Sequence, residues 1–259
     1  KLYEPVLFCQ RPRDTPDSEA SNFSCSQQPV RTPAEPECRY TVSPFLLRPK
    51  GTGSYNFVAL TDPTPGTANV APVVGPIVIS EIMYHPADAG GVEYVELLNI
   101  GADSVTLCDA DSGTGWRFTD DPDNPNVDLL LPSGPPVVLS PGAYLVLAKD
   151  ASLARAAYDV PADVTILSWG AGRLADDGQK VQLSRPGREE DDGTRVWIRV
   201  DRVVYSDGSH AEDFAGGVDP WPIQAAGGGS SLSCVDPLAY GNDPANWRAA
   251  TPSPGVSNP

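Results

Sequence analysis

The sequence is poor in the residues that most often carry enzyme chemistry, with two histidines and one methionine among 259 residues. It has no Gly-x-Ser-x-Gly nucleophile elbow and no glycine-rich loop followed by Lys-Ser/Thr, which excludes two common catalytic and phosphate-binding signatures. No apolar run approaches the roughly 20 residues that cross a bilayer. We therefore expect no membrane span. Because the sequence begins at Lys1, we also expect a processed mature protein or a fragment.

Positive charge is scarce as well. The sequence has 18 Lys and Arg against 34 Asp and Glu, which gives a formal net charge of −16 and a pI near 4.3. Such a surface repels a phosphate backbone, so nucleic acid is excluded as a partner. Acidic residues usually serve solubility, but they also suit calcium-rich surroundings.

Helical patterns are nearly absent, and short apolar runs are separated by 28 Pro and 24 Gly. One helix is predicted at 151–158, with Asp150 as its N-cap and Pro161 beyond its end. The spacing of the other runs predicts an all-β sandwich of short antiparallel strands. These predicted strands cover residues 40–47, 54–60, 76–84, 92–100, 105–107, 137–139, 144–148, 164–167, 180–183, 196–205 and 230–233.

The strongest strand signals are the two runs 76–84 and 92–100, which flank a glycine-rich turn. They are predicted to pair with each other. In the second run polar and apolar residues occur on both alternating faces. This mixture predicts a sheet that is only partly covered.

The end of the chain repeats an earlier segment. Residues 247–258 have a weaker copy at 57–69, with one residue of slippage. The copy reads as the closing strand of a module. We therefore divide the chain into an irregular Cys/Pro-rich segment, 1–73, which includes this partial repeat and a Pro-rich linker, and a complete module, 74–259.

The five cysteines predict disulfides in an oxidising compartment rather than a zinc site, because no Cys-x-x-Cys spacing occurs. Pairing does not follow from the sequence, and an odd count leaves at least one thiol free or intermolecular. Within the complete module, a link between the last two cysteines is one candidate. The disulfide candidates are Cys9, Cys25, Cys38, Cys108 and Cys234.

Several short motifs occur in order along the complete module: 77–86 (Ile-Val-Ile-Ser-Glu-Ile-Met-Tyr-His-Pro), 93–99 (Glu-Tyr-Val-Glu-Leu-Leu-Asn), 139–148 (Leu-Ser-Pro-Gly-Ala-Tyr-Leu-Val-Leu-Ala), 200–205, 219–222, 227–232 and the closing 246–255. Together they resemble the motifs of bacterial lamin-tail domains. The resemblance extends over about 74–258, is weaker at the longer insertions 114–133 and 206–217, and has no counterpart in the first 40 residues. It implies an immunoglobulin-like β-sandwich without assigned chemistry, of a kind found in secreted or surface proteins.

An acidic loop is the candidate metal site. Asp121, Asp123, Asn126 and Asp128 present oxygen ligands on a loop stiffened by proline, a chemistry that suits calcium. The loop lacks the glycine and the bidentate glutamate of an EF-hand. The alternative is a solvated acidic loop, and no other cofactor is implied.

Three glutamates and two histidines are the candidates for catalysis. Glu81, Glu93 and Glu96 lie on adjacent predicted strands, where a carboxylate pair would suit acid/base work or glycoside cleavage. Hydrogen bonding within the fold is the alternative that we prefer. His85 is expected in a turn at a strand end, and His210 in a solvated acidic loop.

We expect no enzyme. The preferred hypothesis is an extracellular structural or adhesive module of a cell-surface or filamentous assembly, whose partners are copies of itself or neighbouring modules. The alternative is an accessory carbohydrate- or protein-binding module of a larger secreted hydrolase. Exposed tryptophans would favour that alternative, but each tryptophan lies beside apolar strand residues and is expected in the core.

Overall fold

A computed structural model describes residues 59–64, 68–87, 91–122, 124–214 and 216–259. The chain divides into two compact units, Lys1–Val73 and Val74–Pro259. The predicted strand 40–47, most of the predicted strand 54–60, and Cys9, Cys25 and Cys38 lie outside the described residues.

The described part of the first unit is a short antiparallel pairing. Leu60 forms a bridge with Pro72, and the amide of Val73 donates to the carbonyl of Ala59 at 2.8 Å. The segment predicted as a Pro-rich linker is therefore partly paired with the residues before it.

The described residues of the second unit contain twelve strands and one α-helix. In chain order they are β1 (Ile77–Met83), β2 (Tyr94–Asn99), β3 (Val105–Thr106), β4 (Arg117–Thr119), β5 (Asp128–Leu130), β6 (Val138–Leu139), β7 (Tyr144–Ala148), α1 (Ala151–Tyr158), β8 (Thr165–Ser168), β9 (Gly178–Glu189), β10 (Arg195–Ser206), β11 (Ser231–Cys234) and β12 (Trp247–Ala250). Short 3-10 turns occur at Ala211–Asp213, Ile223–Ala225 and Pro244–Asn246.

The strands form two large sheets. The first has the order β12-β11-β1-β2-β7-β8 and the second the order β10-β9-β4-β5, while β3 and β6 form a separate pair. All pairs are antiparallel except β7 with β8. The predicted all-β sandwich is confirmed, and β1 pairs with β2 as predicted.

The main core joins the inner faces of the two sheets. The six-stranded sheet contributes side chains such as Ile79 and Leu97, and the four-stranded sheet contributes Phe118, Leu183 and Val203. All five are essentially inaccessible to solvent. Burying each aliphatic or aromatic side chain of this size stabilises the fold by roughly 1.5–3 kcal/mol.

The outer face of the six-stranded sheet is also covered, so the expectation of a partly covered sheet is wrong. Every residue of β1 is buried. A second apolar cluster on β1, β2 and β7, which includes Met83, Tyr94 and Val146, packs against Ala154 of α1 and against Val160. Polar residues in β2 are therefore buried inside the protein rather than facing water.

Helix α1 has the predicted bounds and cap. The Asp150 carboxylate accepts a hydrogen bond from the amide of Leu153 at 2.9 Å. The helix ends at Tyr158 because Asp159 adopts a left-handed conformation, with φ of 50°. Within the described residues, no helix has the length and apolar character that a membrane span requires.

The insertion 114–133 contains two strands that were not predicted. β4 pairs with both β5 and β9 and completes the second sheet. Each of the two strands has three residues, which is too short for alternation to be recognised. β9 and β10 each extend over 12 residues, so the hairpin is longer than the predicted runs 180–183 and 196–205.

A half-buried aspartate joins the two sheets. Asp201 lies at a register shift between β9 and β10, and its carboxylate accepts hydrogen bonds from the amides of Ile79 and Arg202, both at 2.8 Å. On the same strand, the amide of Val204 donates to the side chain of Asn242 at 2.6 Å. Side chains thus satisfy backbone groups where one sheet meets the other.

Candidate functional site: a buried glutamate pair

Glu81 and Glu96 lie directly opposite each other on β1 and β2, and both are fully buried. The pairing of β1 with β2 shifts in register between Ile79 and Glu81. Hydroxyl groups from the sheet bind both carboxyls. Ser80 Oγ donates to Glu96 Oε1 at 2.7 Å, and Ser231 Oγ donates to Glu81 Oε1.

The remaining donors come from the end of the chain, residues 251–258, which we call the closing segment. The amide of Ser253 donates to Glu81 Oε1 at 3.0 Å, and the amide of Gly255 donates to Glu96 Oε2 at 2.6 Å. The side-chain amide of Asn258 donates to the carbonyl of Ser80 at 2.8 Å. The two carboxyls therefore hold a backbone segment on the outer face of the sheet.

Burial changes the protonation of the pair. It raises the pKa of Glu96 to about 8, although the hydrogen bonds from Gly255 and Ser80 act in the opposite direction. The nearby Glu81 carboxylate raises the pKa of Glu96 further. Burial likewise raises the pKa of Glu81 above its ordinary value. At neutral pH Glu96 therefore retains its proton in most molecules, which relieves the repulsion between two opposed carboxylates.

This arrangement is suited to holding a chain segment rather than to catalysis. A general acid or base must come within hydrogen-bonding distance of a substrate. Here both side chains have no exposed surface, and hydroxyls and backbone amides of the protein already bind three of their oxygens within 3.0 Å.

The third candidate, Glu93, binds elsewhere. Its Oε2 accepts a hydrogen bond from the amide of Leu174 at 2.9 Å, and its Oε1 lies 3.9 Å from Lys149 Nζ. Burial raises the pKa of Glu93, while the Leu174 amide and Lys149 lower it. The structure thus brings together two of the three glutamates.

The histidines occupy the settings expected for them. His85 follows β1, and its carbonyl accepts a hydrogen bond from the amide of Gly227 at 3.1 Å. His210 lies in an acidic loop, where its Nδ1 is 3.4 Å from Glu212 Oε1 and its Nε2 is 3.8 Å from Asp207 Oδ1. Glu212 raises the pKa of His210.

The described residues of the candidate calcium loop bind protein groups. Asp121 forms an ion pair with Lys180 at 3.1 Å. Asp128 forms a bidentate ion pair with Arg117, with distances of 2.7 and 2.9 Å. The side-chain amide of Asn126 donates to a backbone carbonyl. Asp123 lies outside the described residues. Among the residues that are described, no group of three or more His, Cys, Asp or Glu side chains could hold a metal ion. The calcium site stays a prediction.

The two described cysteines are free thiols, so the candidate link between Cys108 and Cys234 is not formed. Cys108 lies at a bridge with Gly115, whereas Cys234 lies at the end of β11 in the six-stranded sheet. The side-chain amide of Asn246 contacts the Cys234 sulfur at 3.5 Å.

Four of the five tryptophans belong to the main core, as expected. Trp197 on β10 is the exception: it is half-buried, and the guanidinium of Arg117 lies 5.5 Å from its ring centre. The four core tryptophans are Trp116, Trp169, Trp221 and Trp247.

Several residues of the site were not identified from the sequence, namely Ser231, Ser253, Gly255 and Asn258. For Ser253, Gly255 and Asn258 the signal is the repeated ending, because a hydroxyl residue, a glycine and an asparagine recur in it at constant spacing, whereas Ser231 lies on β11 outside the repeat. Before the carboxylates were located, that repeat could be interpreted only as a closing strand.

A family model described as Lamin Tail Domain matches residues 71–207. A search of curated proteins found no match. Lamin tail domains are non-enzymatic modules with an immunoglobulin-like fold, which agrees with the two-sheet sandwich and with the use of the glutamate pair to hold the closing segment. Because the matched residues make up more than half of the 259-residue sequence, the chain belongs to the lamin tail domain family.

Proposed function

We propose that this chain is a non-catalytic structural module of an extracellular or cell-surface assembly, in which it contacts copies of itself or neighbouring modules. The observation that carries the proposal is the use of the glutamate pair. Two fully buried carboxyls bind the closing segment of the same chain, so the site holds chain segments together.

Unpaired sheet edges offer surfaces for such contacts. Within the described residues, no further strand pairs with β8 or β5, which end the two large sheets. Thr165 and Ser168 on β8 are exposed, and Leu130 on β5 is 55% exposed. An unpaired edge presents backbone donors and acceptors to another chain.

The assembly state tests this proposal. Light scattering and electron microscopy of the full chain, with and without reductant and a calcium chelator, are expected to detect oligomers or filaments. The two additives reveal whether thiols or calcium hold the assembly. A monomer under every condition at high concentration would contradict the proposal. Protease accessibility on intact source cells tests the surface location separately.

The accessory binding module is the second candidate, and Trp197 favours it. Its ring is partly accessible beside Arg117, and tryptophan is enriched where proteins contact a partner, because it combines a large apolar ring with a hydrogen-bond donor. Binding to a panel of polysaccharides and surface proteins that is lost in Trp197→Ala, with an unchanged unfolding midpoint, is the expected result for this candidate. Equal binding by both proteins would exclude Trp197 from recognition.

A further inference from the structure

The closing segment binds the sheet through a small set of positions. Besides the amides of Ser253 and Gly255, the side-chain amide of Asn258 donates to the carbonyls of Ser80 at 2.8 Å and Cys234 at 3.2 Å. Ser253 Oγ donates to Asn258 Oδ1 at 3.3 Å, which holds the two ends of the contact together. We call the acceptors on the sheet, namely Glu81, Glu96 and the carbonyls of Ser80 and Cys234, the cradle.

The earlier copy of this segment retains those positions. Aligned without gaps, 62–69 reads Asp-Pro-Thr-Pro-Gly-Thr-Ala-Asn and 251–258 reads Thr-Pro-Ser-Pro-Gly-Val-Ser-Asn. The prolines, the glycine and the asparagine are identical, and a hydroxyl residue occupies the third position in both. The three other positions differ, and in the closing segment those are Thr251, Val256 and Ser257, which are exposed. The residue types at the three positions that contact the cradle, Ser253, Gly255 and Asn258, are thus retained in the earlier copy, and the positions that differ are exposed in the closing segment.

One internal hydrogen bond is common to the two segments. Thr64 Oγ1 donates to Asn69 Oδ1 at 3.5 Å, just as Ser253 Oγ donates to Asn258 Oδ1 at 3.3 Å. Both bonds join residues five positions apart. The asparagine amide of the earlier copy is therefore oriented by the same kind of contact that orients Asn258.

We propose that residues 62–69 of one chain bind the cradle of a second copy of the chain, in place of that copy's own closing segment. This inference rests on the proposed function, since it identifies the contact between copies. Within the described residues, the two glutamates of the cradle lie opposite each other on β1 and β2. In the alignment Thr64 takes the place of Ser253, whose amide binds Glu81, and Asn69 takes the place of Asn258. Gly66, which lies outside the described residues, takes the place of Gly255, whose amide binds Glu96.

Exchange between segments that share the contacting positions costs little, because each contact that is lost is replaced by an equivalent one. The chain's own closing segment has the advantage of attachment, which corresponds to an effective concentration of the order of millimolar. Exchange is therefore favoured where the protein is concentrated. Because the donor segment and the cradle are different surfaces, the contact is heterologous and produces an open chain of subunits unless it closes into a ring.

A peptide-binding measurement on the full chain tests the recognition. Gly255→Pro removes the amide that binds Glu96 and cannot adopt the positive φ of Gly255, so it weakens the chain's own closing segment. Labelled synthetic peptides of residues 56–69 and 246–259 are added, and fluorescence anisotropy is recorded. We expect both to bind and to compete, with dissociation constants within about tenfold of each other.

Peptide variants provide the controls. In the 56–69 peptide, Asn69→Ala is expected to weaken binding by about tenfold or more, because it removes the side-chain amide. Ala68→Ser, at a position that varies between the two segments, is the matched control and should leave affinity unchanged. Binding of the 246–259 peptide alone, or of neither peptide, would overturn the inference. If Gly255→Pro does not fold, Asn258→Ala, which removes only side-chain contacts, replaces it.

Light scattering of full-length variants separates this inference from the proposed function. Asn69→Ala is expected to reduce the mean mass of the assembly, and Ala68→Ser to leave it unchanged. Assembly that is equal in wild type and Asn69→Ala would overturn the inference and leave the proposed function intact. A wild-type chain that stays monomeric would contradict the proposed function. The peptide measurement would still show whether residues 62–69 bind the cradle.

Discussion

Glu81 and Glu96 face each other across β1 and β2, and each accepts a hydrogen bond from a backbone amide of the closing segment. Two like charges in such positions are destabilising in an ordinary sheet. Here burial keeps Glu96 largely protonated at neutral pH, which removes one of the two charges, and the amide of Ser253 donates to Glu81. The end of the chain and the two central strands therefore depend on each other.

Glu96→Gln is expected to change how stability depends on pH. Burial raises the pKa of Glu96 from 4.5 to about 8, so between these values the folded chain retains a proton that the unfolded chain has lost. The contribution of Glu96 to stability is thus complete below about pH 4.5 and is lost as pH rises towards 8. The loss is on the order of a few kcal/mol.

Urea unfolding followed by tryptophan fluorescence at pH 5, 7 and 9 measures this effect. The free energy of unfolding of Glu96→Gln should fall less with pH than that of the wild type. Glu189→Gln, at an exposed glutamate in the β9–β10 hairpin, is the control and should follow the wild type. Parallel pH curves for Glu96→Gln and the wild type would contradict the protonation of Glu96.

Gly255→Ala is expected to destabilise the module by about 2 kcal/mol or more, because two costs add. Gly255 has a φ of 91°, and an added Cβ would lie 3.0 Å from both Pro161 Cδ and Val164 Cγ2. Gly142→Ala is the matched control, since Gly142 has a φ of 72° but no neighbouring atom within 4 Å of an added Cβ. Thermal unfolding should show a larger loss of stability for Gly255→Ala than for Gly142→Ala. Equal losses of stability would show that the contacts with Pro161 and Val164 add no cost to that of the backbone conformation.

Asp201→Ala should destabilise the sandwich by about 1–3 kcal/mol, because it leaves the amide of Ile79 without its acceptor. Asp201→Asn retains a side-chain oxygen that accepts this hydrogen bond and should cost less. Burial raises the pKa of Asp201, which shows that its charged form is poorly solvated. The neutral amide of asparagine avoids this cost. Urea unfolding of the two variants measures their free energies of unfolding. Equal losses of stability in Asp201→Ala and Asp201→Asn would contradict this prediction.

Cys108 is expected to react with iodoacetamide before Cys234 in the native protein. Cys234 is buried, and burial raises the pKa of its thiol to about 11, so little reactive thiolate is present. Cys108 is only half-buried. Peptide mass spectrometry over time measures the two rates, which should converge in urea. A disulfide-linked peptide that contains both residues would contradict the free thiols of the structure.

Local features of the fold were predicted well from the sequence. The helix cap at Asp150 and the pairing of β1 with β2 depend on a few neighbouring residues, and both were confirmed. β4 and β5 were missed because strands of three residues carry no periodic signal. The apolar and polar mixture in β2 was misread because the residues that cover its outer face are distant in sequence.

The sequence by itself determined the all-β class, the turns, the single helix and the membership of the family, since periodicity, caps and short motifs act over a few residues. The tertiary structure alone decided which carboxyls meet and what binds them. Glu81 and the amide of Ser253 are 172 positions apart, and Glu96 and the amide of Gly255 are 159 apart. Contacts of this kind depend on the order of the strands in the sheet and on the path of the chain across its outer face, and neither property is encoded in local spacing.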